Sequence, residues 1–488
     1  MYLLRGSGPP VDYIQKSIGD YGLYHLWLCF IVFLSKFPIA WHQMAIIFLT
    51  PKVSYTCDGE LNKCPCANPE FDKSVFPMTI TMKWNLICEK KHLGTLVQTL
   101  FQLGTLIGSI LFGMASDRWG RRPSFILAIA IQVISGVGAA YMESFLLFNL
   151  LRLIVGISVG GTMVVGFVCI MEFCGTKYRP PISALYQVPF NLGHLTLSGF
   201  GYYFRNYDAF QVAISAPVAV LLLYYCILPE TPRWLMAMKK TEEAIKVCER
   251  VAKVNKLPTN TIRGDLVACE KELEKKHLKK GTIVDLFRTP NLRKNILCMA
   301  FNWFTCSYCF YGVSQYISFL TGDIFVNVAI SATFALFGTF ASVPLISVMN
   351  RRTMLLLFQA ICAICLYALA FLPEGTISVG CACVGNLAAF VVFILVYLYC
   401  SELFPTVVRN AALGFSSMTA RIGSMIAPFV VGLRDTAVFL PPVIFAIPPT
   451  LACIITMFLP ETKGCPLMTT LQEGEEFGKK KVTKQPNA

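Results

Sequence analysis

The chain has 488 residues, a formal net charge of +14, 55% hydrophobic residues and only 14% charged ones. Soluble domains carry roughly 25% charged residues, so this composition excludes an ordinary soluble enzyme and reads as an integral membrane protein. The basic residues lie largely between apolar runs, where they orient a chain in a lipid bilayer, and nucleic acid is therefore not an expected partner.

A span needs about 20 apolar residues, and the length accommodates about twelve. Residues 1–20 contain Arg5, Pro9, Pro10, Asp12 and Lys16 without an apolar core, so no cleavable leader is expected. The first span is expected at 21–49 and carries Lys36, Pro38 and His42. A polar stretch, 51–92, follows on the outside with Cys57, Cys64, Cys66 and Cys88. Four cysteines in one outer loop predict up to two disulfides, in any of three pairings. A zinc site is the lesser reading. Most other cysteines sit singly in apolar runs as small hydrophobes.

The second and third spans, 93–112 and 125–141, flank a charged loop, Gly113-Met114-Ala115-Ser116-Asp117-Arg118-Trp119-Gly120-Arg121-Arg122. Its basic excess favours the cytoplasmic side. The fourth span, 146–171, holds Arg152 and places Gly156, Gly160 and Gly161 at a spacing suited to tight helix packing. The fifth, 182–204, is interrupted by Pro189 and carries Asn191 and His194. The sixth, 212–228, stops at Pro229-Glu230-Thr231-Pro232-Arg233-Trp234-Leu235.

The segment 239–294, with 15 Lys/Arg against 8 Asp/Glu, is the only soluble-looking one. Its stretches 241–254 and 266–280 read as amphipathic helices, on the cytoplasmic side with both termini. Six more spans are expected at 296–320, 326–348, 354–372, 377–400, 411–433 and 437–459. The tail is polar and includes Lys479-Lys480-Lys481. The units are thus 1–235 (with the outer loop 50–92), a linker 236–294, a second half 295–460 and a tail 461–488.

The halves repeat. Arg121-Arg122 recurs as Arg351-Arg352, Glu172 and Arg179 recur as Glu402 and Arg409, and Pro229-Glu230-Thr231 recurs as Pro460-Glu461-Thr462. Two parallel six-helix halves form a transporter layout with the substrate site at mid-membrane between them. The second loop has Ser347 for Asp117 and Asn350 for Gly120, and so lacks the acid.

Asp117, Arg118, Arg121, Arg122, Glu172, Arg179, Glu230, Arg233, Glu402, Arg409 and Glu461 all fall at cytoplasmic span ends. One reading is topology and stability. The favoured one, since acids and bases recur in both halves, is an ion-pair latch that holds the halves together when the outside is open. Arg152, nearer the outer surface, is a gating or structural contact. Ionisable groups inside spans are costly and usually functional. Arg421 lies about fifteen ångströms from either end of the eleventh span, with Asn191 as its counterpart and no acid at its depth. A guanidinium facing a cavity suits a carboxylate. Lys36, His42, His194 and Asn191 are further candidates. Tyr308, Tyr311 and Gln315 share an arc of roughly 60° on the seventh span. Trp303, on the same span but roughly 80° outside that arc, is a further candidate, and such rings could hold an ammonium group.

The charged loop resembles the signature loop of the major facilitator superfamily. The cysteine loop ending Lys83-Trp84-Asn85-Leu86-Ile87-Cys88, Ser401 to Asn410, and Pro460 to Gly464 make the chain similar to one branch, the animal organic cation, organic anion and carnitine transporters. That resemblance implies an all-α fold of twelve transmembrane helices and alternating-access carriage of a small organic ion across the plasma membrane. Thr419-Ala420-Arg421-Ile422-Gly423-Ser424 is similar to the anion and carnitine members, which points to anionic or zwitterionic carboxylates. The outer loop is short for the family, and no N-x-[ST] sequon occurs. No cofactor is expected, a coupling Na+ or H+ is left open, and a monomeric transport unit is expected. The rival readings are an organic cation transporter, a sugar facilitator, and a non-transporting receptor or scaffold. The sugar pattern Gln-Gln-Leu-Ser is replaced by Gly312-Val313-Ser314-Gln315. No phosphate-binding loop or catalytic constellation points to an ATP-driven pump or an enzyme.

Overall fold

The computed structural model describes residues 12–175, 177–275, 282–465, 468 and 470–478. Arg5, the end of the expected helix 266–280 and Lys479–Lys481 lie outside them.

Among the described residues, nine helices are long and apolar enough to cross a membrane. The fifth span (Val188–Tyr203), eleventh (Arg409–Gly432) and twelfth (Leu440–Thr456) complete twelve. Span 1 covers Leu23–Leu49 in three helical pieces. Pro38 has no N–H to continue the ladder, and the first break, at Ser35, comes three residues before it. Spans 2, 3 and 4 are Lys91–Trp119, Arg121–Ala140 and Phe145–Phe173. A short helix, Arg179–Leu185, precedes span 5. Span 6 is Tyr207–Ile227, part of it wound as 3₁₀ around Pro217. Spans 7 to 10 are Pro290–Ile317, Ile324–Val348, Arg351–Phe371 and Thr376–Leu403.

The expected loop between spans 2 and 3 is mostly helix. Span 2 runs on through Asp117 to Trp119, and the break is confined to Gly120, whose φ of 109° suits glycine alone. A Cβ there would lie 2.3 Å from a Glu230 oxygen. That closeness has a purpose. The Glu230 carboxylate accepts from the backbone N–H groups of Arg121 (2.9 Å) and Arg122 (3.1 Å), capping span 3 at the positive end of its dipole. Burial pushes the Glu230 carboxyl above its usual range, against the downward pull of those N–H groups. Glu461 repeats the cap on span 9, accepting from Arg351 (2.8 Å) and Arg352 (3.0 Å). The repeated Pro-Glu-Thr motifs are helix caps.

The outer segment folds into a three-stranded sheet, β1 (Tyr55–Cys57), β2 (Glu60–Leu61) and β3 (Glu70–Phe71), in the order β2-β1-β3. It is tied by Cys57–Cys66 and Cys64–Cys88, one of the three pairings open from sequence. The linker supplies helices Thr241–Val254, Ile262–Lys275 and Ile283–Arg288. The first two pack on the N-terminal helix Tyr13–Ile18, and the third on spans 7 and 11.

Spans 2 and 4 touch backbone to backbone through Gly104, Gly108, Gly156 and Gly160. The halves join where span 5 meets span 8 and where span 2 meets span 11. At the end bearing the disulfide loop the seam is closed. Phe325 packs on Phe48, Phe76 and Tyr202, with ring centroids 5.6 Å apart in each case. The Thr99 hydroxyl donates to the Met425 carbonyl (3.2 Å), and Lys91 pairs with Asp435.

Candidate substrate site between the two halves

Arg421 sits midway along span 11, almost wholly buried at 6% exposure, and reaches across the seam to the Met163 sulfur of span 4 (3.7 Å). Its electrostatic neighbours are Lys36 of span 1, Tyr311 of span 7 and Tyr397 of span 10. Among the described residues no carboxylate pairs with Arg421 or with Lys36; the ion pairs lie at span ends and in loops. Two cationic side chains thus share the seam at mid-membrane without a counter-charge. A buried guanidinium left without an acid is expensive.

Aromatic rings wall this pair. Trp303 packs edge-on against Tyr397 (4.2 Å), and its indole N–H has no partner among the described residues. Tyr186 lies under the Lys36 ammonium, 3.9 Å from ring centroid to nitrogen. One turn outward from Arg421, Ser424 lines a small cavity with Gln43, Gln98, Tyr311, Gln315 and Pro428. Gln43 is held by Gln98 and Gln102, whose amide nitrogens donate to it at 3.0 and 2.9 Å. The Gln98 side-chain oxygen stays free among the described residues. The arrangement offers charge, hydrogen-bond donors and flat apolar faces to a small organic ion.

Other sequence candidates fall elsewhere. Tyr308 turns into the second half, against Phe445 (4.9 Å) and Phe304 (5.6 Å), so the polar-aromatic stripe on span 7 reduces to Tyr311 and Gln315. Asn191 donates to the Thr339 hydroxyl of span 8 (2.9 Å) and fastens the seam. His194 is buried, with no hydrogen-bond partner for its ring among the described residues. His42 and Arg152 lie together inside the first half, where the Arg152 guanidinium stacks over Phe101 (4.7 Å) and donates to the His42 carbonyl (3.4 Å).

The charges at the linker end pair within each half. Arg121 forks onto Glu172 (2.7 and 3.2 Å) and reaches Asp117 (2.6 Å). Arg351 does the same to Glu402 (3.2 Å) but, with Ser347 in place of the acid, turns its third donor to the Ile346 carbonyl. The Thr231 and Thr462 hydroxyls donate to Glu172 and Glu402. Arg233 pairs with Asp12 (2.5 Å), where burial raises the Asp12 carboxyl and Arg233 more than reverses it, so the net shift is downward. Arg179 donates to the Cys174 carbonyl and Arg409 to the Thr406 hydroxyl, so neither pairs with the glutamate seven residues before it. Arg122 donates to the Tyr225 carbonyl, and Arg118 is exposed. No ion pair between described residues joins the halves at this end. The latch reading concerns a state open to the outside, and this one is closed there.

The sequence profile of the sugar (and other) transporter family matches residues 28–472. A Drosophila melanogaster protein named organic cation transporter protein is 31% identical over 96% of this chain and 95% of its own length. The chain belongs to the organic cation and organic anion transporter family. Solute carrier family 22 member 1 of Oryctolagus cuniculus is 30% identical over 92% of this chain and 81% of its own. Among solved structures, the inward-open xylose transporter XylE from E. coli shares the fold, with a TM-score of 0.70, 19% identity and coverage of 93% and 99%. This member of the family is therefore a multi-pass carrier of major facilitator fold, and its ligands are small organic ions rather than reactants.

Within that framework, sequence reasoning missed Tyr186, Tyr397 and Met163. A signal for Tyr397 was present. The 230-residue offset that aligns the arginine and glutamate motifs also pairs it with Phe167, and Phe167 packs on Tyr186 (5.5 Å).

Proposed function

We propose that this carrier moves small carboxylate-bearing organic solutes, anionic or zwitterionic, across the plasma membrane by alternating access of its two halves. The observation that supports this is the Arg421 guanidinium at the seam, beside Lys36 and, among the described residues, paired with no acid. A neutral sugar gains little from such a charge, and an organic cation is repelled by it. A carboxylate satisfies two donors of the guanidinium at once. The closed outer seam and the intra-half pairing at the other end fit one state of such a cycle.

The test is uptake by cells expressing the full chain, with surface level measured, of a labelled aliphatic monocarboxylate, a carnitine-like betaine, tetraethylammonium and glucose. The monocarboxylate is expected to enter at least roughly tenfold faster than tetraethylammonium, with glucose at background. Saturable entry of tetraethylammonium or glucose without carboxylate uptake contradicts the proposal.

A further inference from the structure

We infer that Lys36 is a specificity-determining residue: its ammonium occupies the aromatic seat that a substrate ammonium would need, so among carboxylates the site favours those that carry no cationic group. The inference rests on the carboxylate role proposed for Arg421. Lys36 is 3% exposed, faces the seam and has no carboxylate partner among the described residues. Its charge is met by the face of Tyr186 at 3.9 Å, which is how a ring holds an ammonium. Tyr186 is fixed by Phe33 (5.6 Å) and Phe167 (5.5 Å). Its face is an aromatic seat at the seam, and the chain itself fills it.

The spacing sharpens the point. Arg421 touches span 4 at Met163, and Tyr186 touches it at Phe167, with its hydroxyl beside Gly166. The two contact points are about one helical turn apart, roughly 5 Å. A zwitterion seated by its carboxylate on Arg421 places its ammonium within that range, on Tyr186. Lys36 is already there, and it repels a second cation in a water-poor surrounding. Removing the Lys36 charge while keeping its length leaves the Tyr186 face open to a quaternary ammonium.

The test compares uptake of a monocarboxylate and a size-matched betaine by wild type, Lys36→Met, Lys36→Arg and Arg421→Met. Wild type is expected to favour the monocarboxylate at least about tenfold; Lys36→Met shifts that ratio toward the betaine by about tenfold or more, and Lys36→Arg keeps it. Equal uptake of both by wild type overturns the inference, as does an unchanged ratio in a Lys36→Met protein at normal surface level. Should that variant not reach the surface, calorimetry on the purified wild-type chain decides: betaine binding within threefold of the monocarboxylate overturns it. Wild-type uptake of neither solute, with Arg421→Met no different, removes the carboxylate site itself and this inference with it.

Discussion

Arg421→Ala is expected to lower carboxylate uptake by about a hundredfold or more while leaving the ligand-free protein as stable as wild type. Truncating one partner of a buried, hydrogen-bonded charge pair costs about 2–5 kcal/mol of binding, and the substrate is the partner here. Stability separates this role from a structural one. A guanidinium that anchors the fold through an acid leaves a bare buried charge when cut, at about 3–5 kcal/mol. Among the described residues Arg421 pairs with no acid, and across the seam it reaches the Met163 sulfur. Its loss removes a desolvated charge from the empty protein, so the apo melting temperature should stay level or rise. A large fall in melting temperature, or unchanged carboxylate kinetics, takes Arg421 out of the substrate site.

Gly160→Val is expected to prevent accumulation of folded protein. A Cβ at Gly160 would sit 2.2 Å from the Thr105 carbonyl oxygen and 2.9 Å from the Ser109 nitrogen. The same holds along the contact: Gly108 against the Ile157 oxygen at 1.9 Å, Gly156 against the Phe101 oxygen at 2.2 Å. The obstacles are backbone atoms of a continuous helix, so no rotamer change relieves them. Spans 2 and 4 would have to separate, losing the close packing that holds helices together in lipid. Overpacking costs about 1–3 kcal/mol where side chains can give, and more is expected here. Gly414→Ala is the control, since nothing lies within 4 Å of its Cβ position. Size-exclusion chromatography of detergent-purified variants reads the difference; a monodisperse Gly160→Val protein with wild-type stability contradicts the packing account.

The architecture was legible because lipid imposes long apolar runs and the two halves repeat their charged motifs at a fixed offset. Arg421 was legible for a related reason: a charge in mid-span is conspicuous where nearly every neighbour is apolar. The stretch from Gly113 to Trp119 was misread as loop because charge and glycine signal a turn. The helix needs only one residue at positive φ, and Gly120 supplies it. The capping role of Glu230 was hidden because its partners, Arg121 and Arg122, lie 109 and 108 residues away in the chain. Tyr186 was invisible as a site residue because an aromatic side chain among apolar neighbours carries no mark of the face it will present, and Tyr397 was marked only through the repeat offset. Tyr308 erred the other way. Its place in a 60° arc with Tyr311 and Gln315 was sound helical geometry, but the edge of that arc turns into the second half.

A map of the protein with a transported carboxylate bound tests the central claim most directly. The account predicts ligand density at the seam with its carboxylate against the Arg421 guanidinium, between Tyr311, Tyr397 and Met163. Density elsewhere, or an Arg421 side chain turned away from the ligand or paired with an acid of the chain, contradicts it.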